Sequence, residues 1–141
     1  MSKQVTKLLR IMARLRSPTG CPWDRDQTHE TIIKCLTDEA NEVIEVIREK
    51  DMHGLREELG DLLLQVIFHC QLAKEEGHFS FDDVVNTLNR KLIRRHPHVF
   101  KKGVARDTEA VLTQWKKIKE REKHDRRHAK NRHKPAPASK S

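Results

Sequence analysis

The sequence predicts an all-α protein, a bundle of about four to five helices. Apolar residues recur at helical spacing through most of the 141 residues, whereas alternating strand-like runs are absent. Most glycines and prolines lie between these periodic segments and therefore mark loops. With 35% hydrophobic and 4% aromatic residues the chain can build only a modest core, so we expect oligomerisation to complete the bundle.

The first three helices follow from the apolar spacing. Leu8 and Met12 belong to the apolar face of a helix that stops before RSPTGCPWDRDQTH, a stretch whose two prolines and glycine predict a loop. A second helix is predicted over about 28–49. A third is predicted over about 54–76, and Gly77 is expected to end it.

Two further helices are predicted towards the C-terminus. Ser80 and Asp83 have the spacing of a capping box, which opens a fourth helix through about residue 95. Pro97 is expected to close this helix because proline cannot continue it. A last amphipathic helix is predicted to begin near Thr108 and to fade into the tail.

The net charge of +8 belongs mainly to the C-terminal tail. Residues 121–141 hold eight lysines and arginines against two acids, a net of +6, which leaves +2 for residues 1–120. The tail lacks large apolar residues and cannot bury enough surface to fold alone. We therefore predict one domain over residues 1–120 and a basic, mostly disordered tail over residues 121–141 that binds polyanions weakly.

Cysteine spacing and hydropathy indicate the compartment. Cys21, Cys35 and Cys70 form no CxxC pair and are odd in number, which predicts neither a disulfide framework nor a zinc ribbon. No apolar run reaches the length of a membrane span, and the N-terminus lacks the apolar block of a signal peptide. We expect a soluble, cytoplasmic protein without a membrane partner.

One acidic pattern occurs twice. LTDEANEVI begins at Leu36 and LREELGDLL begins at Leu55, and each places two acids at the edge of an apolar helical face. If the two helices are antiparallel neighbours, the acids of one helix face those of the other. The expected pairs are Glu42 with Glu58 and Glu39 with Asp61, so that four carboxylates converge.

Four converging carboxylates require a compensating charge. Like charges withdrawn from water repel each other, so either their pKa values rise or a hard cation fills the gap. Ligands that are all oxygen favour Mg²⁺, with Mn²⁺ as a substitute, over zinc. Because Mg²⁺ shares its shell with phosphate oxygens, the pattern indicates phosphate chemistry. The alternative is that these acids only form a solvated helix face.

Four motifs together resemble the MazG-type nucleoside triphosphate pyrophosphohydrolases. They are GCPWDRDQTHETI, DEANE, EELGDLL and KLIRRHPHVF, in the family's order over roughly residues 5–120. The family's E-E-x-x-E run and later E-x-x-D map onto this chain with Asp38 in place of the usual first glutamate. The resemblance implies an oligomeric all-α enzyme, a homodimer or tetramer, that splits a nucleoside triphosphate into monophosphate and pyrophosphate. The implied metal and catalytic residues are Glu39, Glu42, Glu58 and Asp61.

The resemblance also implies a nucleotide-binding segment. Lys91, Arg94 and Arg95 have the spacing that lets them share one helix face. By itself Trp115 predicts a core or interface anchor, whereas the family's tryptophan near this position implies a contact with the base or ribose. One of the four metal acids, or Asp38, is expected to orient the attacking water. The implied nucleotide-binding set is Asn89, Lys91, Arg94, Arg95, Trp115 and Lys119.

Three functions follow from these patterns. The leading one is a metal-dependent pyrophosphohydrolase that removes noncanonical or surplus nucleoside triphosphates. The second is a nucleic-acid-binding or adaptor protein that acts through its basic tail, although an idle site would be expected to lack at least one of the four acids. The third is a specialised pyrophosphatase for dUTP, dCTP or phosphoribosyl-ATP, which differs only in its base pocket.

Overall fold

The computed structural model describes residues 1–101 and 107–132, with side chains as far as residue 130. All regular structure in these ranges is helical, which confirms the all-α class, and no described helix is long and apolar enough to cross a bilayer. The described chain forms two compact units, residues 1–85 and residues from 86 onward. The helices are α1 (Lys3–Leu15), α2 (Pro22–Asp26), α3 (Ile33–Arg48), α4 (Met52–Glu75), α5 (Phe81–Arg95), α6 (Pro97–Phe100) and α7 (Thr108–Arg132).

The core of the first unit lies against the C-terminal half of α4. Ile67, Phe68 and Leu72 of α4 are buried there with Met12 of α1 and with Ile32, which immediately precedes α3. Burying one such side chain contributes about 1.5–3 kcal/mol to folding. The N-terminal half of α4 does not contribute to this cluster, and it is this half that carries the acids.

Helices α3 and α4 are antiparallel neighbours joined by a tight turn. Lys50 has a φ of 56°, and the carboxylate of Asp51 then caps α4 by accepting a hydrogen bond of 2.9 Å from the N–H of Gly54. A Cβ at Gly54 would overlap that carboxylate, so glycine permits the cap. The turn brings the acidic stretches of the two helices opposite each other.

Arg16 fastens the connection between α1 and α3 to α4. Its guanidinium donates hydrogen bonds of 2.8 and 3.1 Å to the carboxylate of Glu75 and lies 5.8 Å from the ring centre of Phe68. It also donates to the backbone carbonyls of Asp24 and Gln27. One half-buried cation therefore binds two points of a long connection to one face of α4.

Two helix boundaries in this connection differ from the sequence prediction. The segment predicted as a loop contains α2, which Pro22 opens at a position where its missing N–H is not needed. The second predicted helix, α3, begins at Ile33 rather than near residue 28. Thr28 and Thr31 cause this delay because each hydroxyl accepts a hydrogen bond from the other residue's N–H, at 3.3 and 2.9 Å.

The remaining predicted helix ends and helix starts are confirmed. Gly77 has a φ of 78° and follows Glu76, the C-cap of α4. The N–H of Ser80 donates to Asp83 at 2.8 Å while the N–H of Asp83 donates to the Ser80 hydroxyl at 3.3 Å, which is the expected capping box. Helix α5 ends before Pro97, although this proline also opens the short α6.

Helix α7 corrects the predicted disorder of the tail over residues 121–132. It continues to Arg132 because half of the residues of this segment are Lys or Arg, which favour helix, and the segment contains neither glycine nor proline. The segment lacks apolar residues that could pack against the rest of the protein, but it keeps this local preference for helix. The disorder expected for residues 133–141 lies outside the described residues.

Candidate metal and nucleotide site

The four acids predicted to converge are brought together between α3 and α4. One oxygen from each carboxylate lies within 4.8 Å of the others, in a group formed by Glu39, Glu42, Glu58 and Asp61. Opposite ligands of a six-coordinate Mg²⁺ lie about 4.2 Å apart, given bonds of about 2.1 Å. The cluster therefore has the donor atoms and nearly the dimensions of a hard-cation site.

Two oxygens of the cluster lack a partner. Oε2 of Glu39 and Oε2 of Glu58 are both buried and accept no hydrogen bond. Buried polar atoms in folded proteins are normally bonded, and an unsatisfied one is destabilising. Since the nearest charged groups are other carboxylates, the missing partner fits a cation or a proton.

The pKa values show the same repulsion. Burial raises the pKa of Glu39, and the neighbouring Glu42, Asp61 and Asp38 raise it further. The pKa of Glu58 rises to about 7, chiefly because its protonated carboxyl hydrogen-bonds Glu42, with burial and the charges of Glu42, Asp61 and Glu39 adding to the effect. Near neutral pH the metal-free cluster therefore retains a proton.

Asp38 has a different environment from the four clustered acids. Its exposed carboxylate accepts a hydrogen bond of 2.8 Å from the ammonium group of Lys34, one helical turn earlier on α3. Asp38 does not belong to the cation-sized group.

In the second unit, the predicted phosphate ligands Arg94 and Arg95 share one carboxylate. Both guanidinium groups bind Glu122 of α7, at 2.8 and 3.0 Å, and the side chain of Glu122 is only 10% exposed. The hydrogen bonds donated by Arg95 and Arg94 hold the pKa of Glu122 at about 2. The sequence analysis did not single out Glu122. The available signal was that Glu122 is one of only two acids in the strongly basic segment 121–141, where it could pair with a cationic helix end.

A cationic cavity of about 720 Å³ lies between α5, α6 and α7 of the same unit. Lys91 and Arg94 contribute to its wall from α5, and the wall holds six lysines and arginines against two acids. Its volume is within the range of small-molecule sites. The remaining cations of the wall are Lys101, Lys117, Arg121 and Arg126.

The other predicted nucleotide contacts differ in exposure. Trp115 is half-buried, its ring meets His96 edge to face at 5.1 Å, and its indole N–H is buried without a hydrogen-bond partner. Asn89 of α5 and Lys119 of α7 are exposed. Trp115 thus packs against His96 and keeps an indole N–H donor without a partner.

Comparison with known proteins extends these observations. The MazG nucleotide pyrophosphohydrolase domain pattern matches residues 27–100. Nucleoside triphosphate pyrophosphohydrolase/pyrophosphatase MazG of Thermotoga maritima is 52% identical over 117 residues, which cover 83% of this chain and 44% of that protein. Nucleoside triphosphate pyrophosphohydrolase of Escherichia coli is 48% identical over 121 residues, covering 85% of this chain and 46% of the relative. The chain thus spans about half the length of these curated relatives.

A solved structure shows the same fold. The crystal structure of a MazG-related protein from Thermotoga maritima aligns with a TM-score of 0.66 and 24% sequence identity, covering 84% of this chain and 99% of that chain. The domain pattern covers more than half of the sequence and includes both acidic motifs. From the matched pattern and the close relatives, this chain belongs to the MazG nucleotide pyrophosphohydrolase domain family.

Proposed function

We propose that this protein hydrolyses nucleoside triphosphates to nucleoside monophosphate and pyrophosphate in a reaction that depends on Mg²⁺, with Mn²⁺ as a substitute. The observation that carries the proposal is the group of four carboxylates within 4.8 Å, two of whose oxygens are buried without a partner. The names of the Thermotoga and Escherichia relatives support the same reaction. The cellular role proposed is removal of surplus or noncanonical nucleotides.

The four acids would hold the cation. A bound Mg²⁺ neutralises charge on phosphate oxygens and lowers the pKa of its water. Because the pKa of Glu58 is about 7 in the metal-free protein, the cluster must release a proton as it becomes a full set of anionic ligands. Glu42 and Asp61, the exposed members, are accessible to the incoming substrate.

The second unit would bind the nucleotide. Arg94 and Arg95 keep N–H groups beyond those used by Glu122, and the carboxylate fixes the orientation of both guanidiniums. Lys91 adds a cation to the neighbouring cavity, and the free indole N–H of Trp115 offers a hydrogen bond. We propose Asn89, Lys91, Arg94, Arg95, Trp115 and Lys119 as the nucleotide-binding set.

We further propose a homodimer, or a tetramer formed from two dimers. Helices α3 and α4 display large apolar side chains that are between 39% and 53% exposed, and a monomer rarely leaves so many on neighbouring helices. An interface there would also remove water from around the acids. The side chains concerned are Ile44, Ile47, Leu59, Leu63 and Leu64.

Weak polyanion binding by the end of α7 is a separate proposal. Residues 121–132 carry six lysines and arginines against two acids on one exposed helix. Such a surface attracts phosphate backbones without reading their sequence. We propose this binding in addition to hydrolysis and not in its place, because all four acids of the cluster are present.

Product analysis over a substrate panel tests the hydrolase proposal. Ribo- and deoxynucleoside triphosphates, including dUTP and dCTP, and phosphoribosyl-ATP would be incubated with Mg²⁺, and monophosphate and pyrophosphate measured. Glu42→Gln should lower turnover by about 100-fold or more, since a lost cation ligand costs several kcal/mol of transition-state stabilisation. Glu45→Gln, an exposed acid of α3 outside the cluster, is the matched control and should remain active. Release of a nucleoside diphosphate and inorganic phosphate, or equal activity in both variants, would contradict the proposal.

A further inference from the structure

Helix α1 carries a stripe of positive charge along its exposed side. The cations recur at intervals of four, three and four residues, so they lie within an arc of about 60° and extend for about 16 Å along the helix axis. The opposite side of the helix packs against the core of the first unit. This basic stripe consists of Lys3, Lys7, Arg10 and Arg14, all of which are exposed.

The N-terminal segment supplies no acid to balance the basic stripe. Residues 1–23 hold five lysines and arginines but neither aspartate nor glutamate. Among the residues that the structure describes, none of the four stripe cations forms an ion pair, whereas the fifth cation, Arg16, binds Glu75. The charge of the stripe is therefore available to an external anion.

The basic stripe is unfavourable for the helix that carries it. Like charges three or four residues apart on a helix repel each other, and the stripe contains three such neighbouring pairs. Lys3 also lies in the first turn, where the positive end of the helix dipole disfavours a cation. A solvated helix face usually mixes both signs, as Lys34 and Asp38 do on α3. An anion bound along α1 would relieve both sources of repulsion.

A further cation widens this surface from α4. Arg10 and the exposed Lys74 contribute to the wall of one cavity of about 240 Å³, which also includes residues from the start of α5. Asp82 is the single acid of this wall among the described residues, and it lies beyond ion-pair distance of both cations. The positive surface therefore extends beyond one helix.

The composition of α1 favours nucleic acid over a membrane or a protein as the partner. A helix that binds a membrane inserts its apolar side, but Leu8, Leu9 and Met12 of α1 pack in the core. A protein interface usually centres on aromatic anchors, and α1 contains no aromatic residue. Phosphates of one duplex strand recur about every 3.4 Å along the axis, so the stripe has the length of about five of them.

We propose that the basic stripe of α1 binds the phosphate backbone of duplex nucleic acid without reading its sequence. Contacts with phosphates supply affinity and position but carry no base specificity. The stripe lies in a different compact unit from the end of α7, so this proposal does not depend on the binding proposed there. It is also independent of hydrolysis, because α1 carries none of the proposed catalytic or nucleotide-binding residues.

The test is the salt dependence of binding between the full-length chain and a duplex DNA of mixed sequence. The logarithm of the association constant falls with the logarithm of the salt concentration, by a slope of about 0.9 for each phosphate neutralised. Lys7→Gln/Arg10→Gln should therefore bind more weakly, with a slope shallower by about 2. Its melting temperature should hold or rise, because the repulsion along α1 is reduced.

A matched control and two competing probes decide the outcome. Arg48→Gln/Arg56→Gln removes the same charge from exposed positions of α3 and α4 and should keep the wild-type slope. Vesicles of anionic lipid and polyglutamate are titrated in parallel, and the stripe variant should lose less affinity for either probe than for DNA. Equal slopes for the wild type and the stripe variant, an equal change in the control variant, or a larger loss for vesicles or polyglutamate would overturn the proposal.

Discussion

Glu58 lies at the border of the apolar face of α4, where its carboxylate meets three others. Its buried Oε2 has no hydrogen-bond partner, and its pKa is raised to about 7. An acid in this position destabilises the metal-free protein whenever it is ionised. The proposed cation would give a function to a side chain that weakens the fold in this way.

The pH dependence of stability follows from this pKa. The folded pKa of about 7 lies above the ordinary glutamate pKa of 4.5, so Glu58 contributes stability that is fully present below about pH 4.5 and is lost as the pH rises through about 7. In EDTA, the unfolding free energy of the wild type should therefore fall relative to that of Glu58→Gln between those values. Denaturant unfolding across this range measures the difference, and parallel pH curves for the two proteins would contradict the raised pKa.

The acid cluster was predictable from the sequence, whereas the other polar contacts were not. Glu39, Glu42, Glu58 and Asp61 repeat one pattern on two helices joined by a short turn, so helical periodicity alone brings them together. Glu122 meets Arg94 and Arg95 across 28 and 27 residues, and His29 meets His69 across 40. No periodicity connects such distant residues; their contacts depend on the tertiary packing.

At the scale of the helices, prediction succeeded where one strong signal marks the end or the start of a helix. Gly77 and the Ser80–Asp83 capping box lie where the sequence placed them. Prediction was wrong where two local preferences compete, as at Thr28 and Thr31, whose hydroxyls bind backbone N–H groups before α3 can begin. The tail was predicted to be disordered because it lacks apolar residues. Its helix-favouring composition instead extends α7 to Arg132.

Truncation of residues 124–141 tests the role of the end of α7. Glu122 remains in the shortened chain, so its ion pairs with Arg94 and Arg95 are preserved and turnover of small nucleotides should stay nearly intact. Polyanion binding should weaken, and its dependence on salt should become shallower, because six lysines and arginines are removed. Turnover and salt-dependent binding to a nucleic acid would be measured in parallel. A large loss of turnover in a folded, truncated protein would show that the tail contributes to the active site.

At the scale of the whole molecule, the two compact units carry complementary chemistry. The acids lie in the first unit, and the arginine pair with its cationic cavity lies in the second. The proposed pyrophosphohydrolysis would use a cation site for the reaction and positive charge for the phosphates. The exposed apolar side chains of α3 and α4 add the expectation of a partner chain.

The oligomer prediction is tested by light scattering. The wild type should have the mass of a dimer or tetramer on dilution, because burial of the α3–α4 apolar surface stabilises the assembly. Leu63→Asp should lower the mass, since a charge at that surface cannot be buried without a partner. Leu112→Asp, at a 55% exposed position of α7, is the control and should leave the mass unchanged. A dilution-stable monomer with full activity would contradict the prediction.

The most direct test of the proposed cation site is a set of thermal melts of the wild type and Glu58→Gln, each with and without Mg²⁺, beside a pyrophosphate-release assay. At a pH above 7, removing one of four repelling charges should hold or raise the melting temperature of the metal-free variant, while catalysis collapses because the amide is a weaker cation ligand. Added Mg²⁺ should stabilise the wild type by mass action and the variant less. A variant that stays active, or one that melts lower than the wild type whether or not Mg²⁺ is present, would show that these acids serve the structure and not a cation.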